Sequence, residues 1–573
     1  VILDFQTLKS QAKGIQKDNF KKAKIAILGN YATQFISKSI GYSGLTHSIE
    51  FEIYNAEYDQ IEPEIFDQNS GLYNFSPDFV FITISSLKLQ DKFYSLSAEE
   101  KTHYTRNYIA NLTNLINVLD SRLKTKIIIN NLEILNDQVF GNIYSKIDLS
   151  FAGNIYNLNY ELLRLARSFD NLYLFDINGL IQYYGARNIR DWGQYVNADL
   201  HYSLDFHAVI SEKLVTFIAA FLGAIKKCLI IDLDNTIWGG VIGDDGLQGI
   251  EIGSLGVGKS YTELQKWIKQ LKERGIIIAV CSKNTEAIAK EPFEKHPEMV
   301  LRLDDIAVFV ANWENKADNI RAIQQILNIG FDSMVFLDDN PAERAIISQN
   351  LPAVSVPELP DDPALYLDYL KSLNLFETAS FSTGDKDRTK QYQQEAERQK
   401  LQFSLTNIED YLKSLQMQIV LEPFNPLDIP RIAQLTQRSN QFNLRTVRYS
   451  ESEIKDIGTD PGYFTCSIKL KDKFGDYGLI SVLILKKLND EELFIDTWVM
   501  SCRVLKRGVE SSVVNYCVDL AKHNGFKQLV GEFIPTAKND LVRDHYLNLG
   551  FTNHNGLWYL DTQNFKPLVH YIN

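Results

Sequence analysis

The sequence predicts an α/β chain in which a central Rossmann-like domain is flanked by an α/β domain and an α+β domain. Three observations carry this expectation. Short apolar runs at 229–231, 276–280 and 334–337 each end in a carboxylate or a hydroxyl. Before residue 222, strand-like runs alternate with polar helical stretches, and after about residue 376 a polar stretch precedes a second strand-rich region. Apolar runs of four to eight residues separated by helical patterns are the signature of parallel sheets.

The central domain, 223–375, is read first because the rest is arranged around it. Leu229 to Ile231 forms a buried strand that ends in Asp232 and Asp234. Ligands of open α/β sheets bind at the carboxyl ends of strands, where two acids can hold a hard cation and face a phosphate. Ile276 to Val280 ends in Cys281 and Ser282, whose hydroxyl can hydrogen-bond a phosphoryl oxygen. Lys316 opens a helical segment and supplies a balancing cation. Met334 to Leu337 ends in Asp338 and Asp339, the remaining metal ligands.

Strand-Asp-x-Asp, strand-Ser, Lys, strand-Asp-Asp resembles the haloacid dehalogenase (HAD) superfamily. The resemblance implies that Asp232 attacks phosphorus and that Asp234 is the general acid and base. It implies that Ser282 and Lys316 hold the phosphoryl group. Mg²⁺ is implied between Asp232, the Asp234 carbonyl, and Asp338 or Asp339. The longer string Asp232-Leu-Asp234-Asn-Thr-Ile-Trp-Gly-Gly-Val-Ile-Gly-Asp-Asp-Gly246 looks like a narrower group, the FkbH-like proteins. Cys281-Ser-Lys-Asn284, Gln434-Leu-Thr-Gln-Arg-Ser-Asn-Gln-Phe-Asn-Leu444 and Ser501-Cys-Arg-Val-Leu505 extend that likeness over at least 228–560. Characterised members of that family load glyceryl units from a phosphorylated glycerate onto carrier proteins. An acyl carrier protein and a phosphorylated three-carbon acid are therefore the implied partners.

Composition agrees with a soluble globular chain. Its 573 residues are 45% hydrophobic and 23% charged, long enough for three or four domains. A net charge of -13 argues against general binding to nucleic acid or anionic membranes, both of which favour excess Lys and Arg. Five Cys without disulfide spacing, and no signal peptide at Val1 to Phe20, predict a reducing, cytoplasmic setting. Leu214 to Ile225 is too short to span a bilayer and reads as a buried helix.

Residues 1–222 show strand-like runs at 24–28, 79–84, 126–129 and 172–175, with a helical stretch from Glu99 to Leu119. Gly29-Asn30-Tyr31-Ala32-Thr33 early and Asp199-Leu-His201 late resemble the order of an SGNH hydrolase. No serine sits in that turn where the hydroxyl would be needed, and Thr33 reads as a polar turn residue rather than a substitute, so the domain is expected to be catalytically silent. Within the central domain, Gly253 to Ser260 satisfies the P-loop pattern. Its preceding stretch is short and half polar, unlike the buried strand a P-loop needs. About 25 residues separate Thr236 from the next helix, so little room remains for a cap over the site.

Cys281 admits two readings. Its thiolate could take the acyl group as a thioester and pass it to a carrier thiol, or the residue could fill space at the end of a buried strand. Successive strand residues face opposite sides, so Cys281 and Ser282 share a site only where the chain turns between them.

After the polar stretch 382–390 and a charged helix to Lys400, the last domain, 376–573, carries strands near Asp476 to Ile484 and Phe494 to Val499 and a helix from Val509 to Ala521. Together with Tyr546 to Phe551 these are similar to a GNAT acyltransferase fold. Its turn, Leu505-Lys-Arg-Gly-Val-Glu510, places an acid where CoA pyrophosphate is received. The phosphopantetheine arm of a carrier is the expected ligand instead, held by Arg503, Lys506, Arg507 and Gly508. Taken together, the sequence points to a Mg²⁺ site that removes phosphate while a thiol passes the acyl group on. A plain phosphatase, or a scaffold with degenerate outer domains, remains the alternative.

Overall fold

The computed structural model describes residues 4–17, 20–380, 393–394, 407–501, 504–536 and 538–573. The predicted linker at 382–390 and the charged helix to Lys400 lie outside them, apart from 393–394. The chain divides into two compact units, Val1–Leu222 and Gly223–Asn573. Among the described residues, no helix is long and apolar enough to cross a membrane.

The first unit is a five-stranded parallel sheet of β1 (Lys21–Gly29), β2 (Ile49–Asn55), β3 (Phe79–Thr83), β4 (Lys126–Asn130) and β5 (Leu172–Phe175), in the order β2-β1-β3-β4-β5. Four of these were legible as apolar runs. β2 escaped notice because Ile-Glu-Phe-Glu-Ile-Tyr-Asn is an edge strand with only one residue fully buried. The helical stretch from Glu99 is two helices, Ala98–Thr102 and Tyr104–Arg122, separated at His103. The apolar run before residue 222 ends a helix that spans Leu204–Phe221.

The second unit contains two sheets. β6 (Cys228–Ile231), β7 (Ile277–Ser282), β8 (Val308–Ala311) and β9 (Met334–Leu337) form a parallel sheet in the order β8-β7-β6-β9. All four residues of β6 are buried because both faces are covered. Leu229 and Ile231 share an apolar cluster with Leu264 and Ile268 of the helix Gly258–Glu273. Cys228 and Ile230 pack in another with Ile320 and Ile323 of the helix Lys316–Leu327. Each buried aliphatic side chain contributes roughly 1.5–3 kcal/mol relative to exposure. Between β6 and the helix Gly258–Glu273 lies only the short helix Ile242–Gly249, and no folded insert interrupts 283–307, so the sheet carries no cap.

The Gly253–Ser260 loop follows an isolated antiparallel bridge between Gly239 and Glu251 rather than a strand of the parallel sheet. A Cβ on Gly258 would lie 2.9 Å from the Ile252 backbone, so close packing accounts for that glycine. The sheet geometry a P-loop needs is missing.

The last sheet is mostly antiparallel: β10 (Gln418–Glu422), β11 (Tyr463–Asp472), β12 (Gly475–Lys487), β13 (Glu492–Met500), β14 (Gln528–Glu532), β15 (Thr552–His554) and β16 (Leu557–Asp561), in the order β10-β11-β12-β13-β14-β16-β15. β13 and β14 are parallel and pair only at Glu492–Phe494 against Gln528–Val530, then diverge. That splayed parallel pair within an antiparallel sheet, followed by the helix Val509–His523 between its strands, is the GNAT-like arrangement.

Candidate active site

Asp232 leaves β6 with its N–H still in the ladder, donating to the Leu337 carbonyl at 2.9 Å. The same register brings Asp338 and Asp339, which follow β9, alongside it. Lys316 is the first residue of the helix Lys316–Leu327, whose N-cap Asn315 accepts the Ala317 N–H at 2.7 Å. Its Nζ lies 3.0 Å from Asp232 Oδ2 and 2.6 Å from Asp338 Oδ2. Arg344 donates to the Asp338 and Asp339 carbonyls at 2.9 and 2.6 Å and so fixes the loop after β9. Thr236 Oγ1 accepts the Asp339 N–H at 3.1 Å and lies 3.3 Å from Asp339 Oδ1, to which it donates.

Asp232, Asp338 and Asp339 each offer a carboxylate oxygen, and these atoms lie within 4.8 Å of one another. Burial, added to by the nearby Asp338 charge and opposed by Lys316, pushes Asp232 up to about 6. Burial also raises Asp338 and Asp339, the latter further through Asp232. Lys316 is buried, which disfavours its charge, yet the two aspartates hold its pKa above the ordinary lysine range. Three carboxylates against one ammonium leave excess negative charge. Asp232 Oδ1 is buried and has no hydrogen-bond partner. An orphaned carboxylate oxygen inside an all-oxygen, net negative cluster fits a hard divalent cation.

Asp234 stands apart from this cluster. Its Oδ1 accepts from Trp238 Nε1 at 2.9 Å and the Ile242 N–H at 3.0 Å, and its Oδ2 from Asn284 Nδ2 at 2.8 Å. Neither Trp238 nor Asn284 was singled out, although both lie inside the motifs that were. Ser282 ends β7 and is buried beside Ala311. The strand runs straight through Cys281 and Ser282, so no turn brings them to one face. Cys281 packs in the cluster with Ile230 and Ile320, its sulfur 3.8 Å from the Lys316 carbonyl, and burial pushes its thiol up to about 12. Cys228 is likewise buried, at the far end of the sheet.

The turn expected to receive the carrier arm is already satisfied from within. The Lys506 N–H donates to Glu510 Oε1 at 3.1 Å, and burial raises the Glu510 carboxyl against the backbone N–H groups that hold it. Arg507 points inward, 5% exposed, to the Tyr477 hydroxyl and Asp472. Lys506 and Gly508 both have positive φ, which shapes the turn before the helix. Arg503 lies outside the described residues. The cleft between the diverging β13 and β14 is also filled. The Met500 and Ile534 N–H groups donate to the Phe442 and Leu444 carbonyls at 3.1 and 2.8 Å. Arg445 ties Asp496 on β13 to Glu532 on β14, at 2.8 and 2.7 Å.

In the first unit, Thr33 is buried and Tyr31 donates or accepts with Thr83 at 2.8 Å. His201 instead meets Ser85, a residue the sequence reading passed over, through Nδ1, and Asp199 through Nε2 at 3.1 Å. The three form an inverted triad. Ser85 and His201 are fully buried while the Asp199 side chain is 41% exposed, whereas a hydrolase presents its serine and buries its acid.

The central fold and its site define a phosphatase domain of the HAD type. The FkbH N-terminal domain family matches residues 24–219. A crystal structure of the N-terminal part of protein BF1531 from Bacteroides fragilis, described as containing a phosphatase domain complexed with Mg, is 47% identical. The match covers 66% of this chain and 100% of that one, with a TM-score of 0.63. The chain belongs to the FkbH-like family. The Escherichia coli ribosomal-protein-S18-alanine N-acetyltransferase matches 26% of this chain and 99% of its own at 15% identity and a TM-score of 0.20. No curated protein matches the chain.

Proposed function

We propose that the chain is a Mg²⁺-dependent phosphohydrolase that works through an aspartyl-phosphate on Asp232. The observation that carries this reading is the unpartnered Asp232 Oδ1 among three buried carboxylates and Lys316. Asp232, the Asp234 carbonyl and Asp338 or Asp339 would hold Mg²⁺, which would supply neutralising charge for the phosphate oxygens. Lys316 and Ser282 orient the phosphoryl group. Asp232 forms the new P–O bond while the leaving oxygen takes a proton from Asp234. Water then attacks the aspartyl-phosphate, gives its proton to Asp234, and releases phosphate with Asp232 restored. Asp234 is held by three donors here, so its acid role requires a proton and a turn of the carboxyl group toward the leaving oxygen. Phosphate release from a phosphomonoester, abolished both by chelation and by Asp232→Asn, is the expected result. Turnover that survives Asp232→Asn contradicts the reading.

The domains taken to act are 1–222, 223–375 and 376–573, with the chemistry in the middle one. Family membership supports a finer assignment, in which 1,3-bisphosphoglycerate is the substrate and the glyceryl unit passes to an acyl carrier protein through Cys281. The burial of Cys281 favours the second reading, a phosphatase in which this thiol is a packing residue. Intact mass spectrometry with Mg²⁺ and 1,3-bisphosphoglycerate separates them. A hydroxylamine-labile glyceryl adduct on the native chain, absent from Cys281→Ala, supports transfer. Phosphate release without an adduct leaves the phosphatase.

A further inference from the structure

The first unit carries a cavity of about 450 Å³ that no step of the phosphoryl chemistry uses. It lies at the carboxyl edge of the five-stranded sheet. The order β2-β1-β3-β4-β5 reverses its winding between β1 and β3, and doubly wound sheets bind ligands in the crevice outside the strand ends at such a reversal. Asn30 follows β1, Ile84 follows β3, and both line the cavity. The other walls come from the segment after β2, from the helix Ser86–Ser95 and from one face of the helix Tyr104–Arg122.

The lining joins buried aliphatic side chains to an acidic rim. Ile82, Ile84, Leu89, Leu112 and Leu115 are buried and supply the apolar surface. Asp59, Glu62 and Asp91 are exposed at the rim with Lys88 and Lys92. Lys88 is already engaged by Asp199 at 3.0 Å, whereas none of the three acids is held in an ion pair among the described residues. Glu62 accepts from Asn111 Nδ2 at 2.8 Å, which leaves its charge in place. Tyr108, also on the wall, is half-buried, and its hydroxyl makes no hydrogen bond among the described residues. Burial, with Tyr104 and Glu62 adding to it, raises that hydroxyl above the ordinary tyrosine range, so its oxygen is a neutral acceptor at pH 7. Pockets of roughly 300–1,000 Å³ with a few convergent polar groups on apolar walls are where small molecules bind. Ser85 and His201 do not line this one, and Asn30 Oδ1 accepts the Ser85 N–H at 2.8 Å, so a molecule held here meets no nucleophile.

We propose that this cavity is a non-catalytic binding site for an organic cation, an amine with an apolar body. The body lies on the aliphatic surface, and the ammonium group donates to the Tyr108 hydroxyl oxygen and to the Glu62 carboxylate. Apolar burial supplies most of the affinity, while the unpaired rim acids select the sign of the head group.

Calorimetric titration of the full chain with 4-phenylbutylamine, 4-phenylbutanol and 4-phenylbutyrate, which place three head groups on one apolar body, tests the proposal. The amine is expected to bind about threefold tighter than the alcohol and about tenfold tighter than the carboxylate. Its affinity should fall about threefold in Tyr108→Phe and about fivefold in the double variant Glu62→Gln with Asp91→Asn, which leaves the alcohol unchanged. Thermal melts of the unliganded variants, expected to match the native chain, show that these losses are not unfolding. The exposed rim pair keeps the test decisive if Tyr108→Phe is unstable. No saturable heat from the amine, equal affinity for the amine and either other probe, or amine affinity unchanged in either folded variant overturns it.

Discussion

Asp232 is the residue on which the proposed chemistry turns, and its surroundings make its behaviour with pH predictable. Its folded pKa is raised above the unfolded aspartate value, so the folded chain binds more protons than the unfolded chain between about pH 4 and pH 6. Stability of the metal-free protein is therefore expected to fall as pH rises through that window, with Asp338 and Asp339 acting in the same direction. Mg²⁺ should raise the melting temperature more at pH 8 than at pH 5, where the carboxyl groups hold protons. An equal shift at both pH values contradicts this. Lys316 is the counter-charge, and removing one partner of a buried ion pair costs about 3–5 kcal/mol. Lys316→Met is expected to lose phosphate release and to melt at lower temperature, with Mg²⁺ restoring stability better than activity.

At the scale of elements, strand direction and strand divergence decide what each side chain can reach. β7 presents Ser282 and Cys281 to opposite faces, which separates the Ser282 hydroxyl from the thiol. β13 and β14 diverge as a GNAT pair does, but Phe442 to Arg445 fills the gap and Glu510 occupies the turn below it. Acetyl-CoA is accordingly expected to give no calorimetric heat in this cleft. Micromolar binding, abolished by a substitution in the Lys506 to Gly508 turn, would show that the plug leaves. Phe442 is a core residue of its sheet, so Phe442→Ala is expected to cost about 3–5 kcal/mol in denaturant unfolding.

For the molecule as a whole, the junction between the two units begins with a glycine under constraint. Gly223 has φ +83, and a Cβ there would lie 2.5 Å from the Arg448 guanidinium, while its carbonyl accepts from Asn440 Nδ2 at 2.9 Å. A β-branched residue would strain the backbone and displace Arg448 together. Gly223→Val is expected to lower the melting temperature of the second unit, at a cost of roughly 1–3 kcal/mol for an unfavourable backbone conformation. An unchanged melt contradicts that account.

Local sequence determined the strands and their chemistry. Leu229 to Ile231, Ile277 to Val280 and Met334 to Leu337 could be read because buried parallel strands are continuous apolar runs, and the acids after them could be placed because such strands all end on one edge. The absence of a cap was legible too, since chain length bounds what can fold between two elements. Tertiary structure alone decided the remaining contacts. Asn284 and Trp238 hold Asp234, Ser85 and not the Gly29 to Thr33 turn hydrogen-bonds with His201, and Glu510 fills its own turn. A hydrogen bond between residues tens of positions apart leaves no periodicity in sequence, and burial, which sets the state of Asp232 and Cys281, is a property of everything packed around a group.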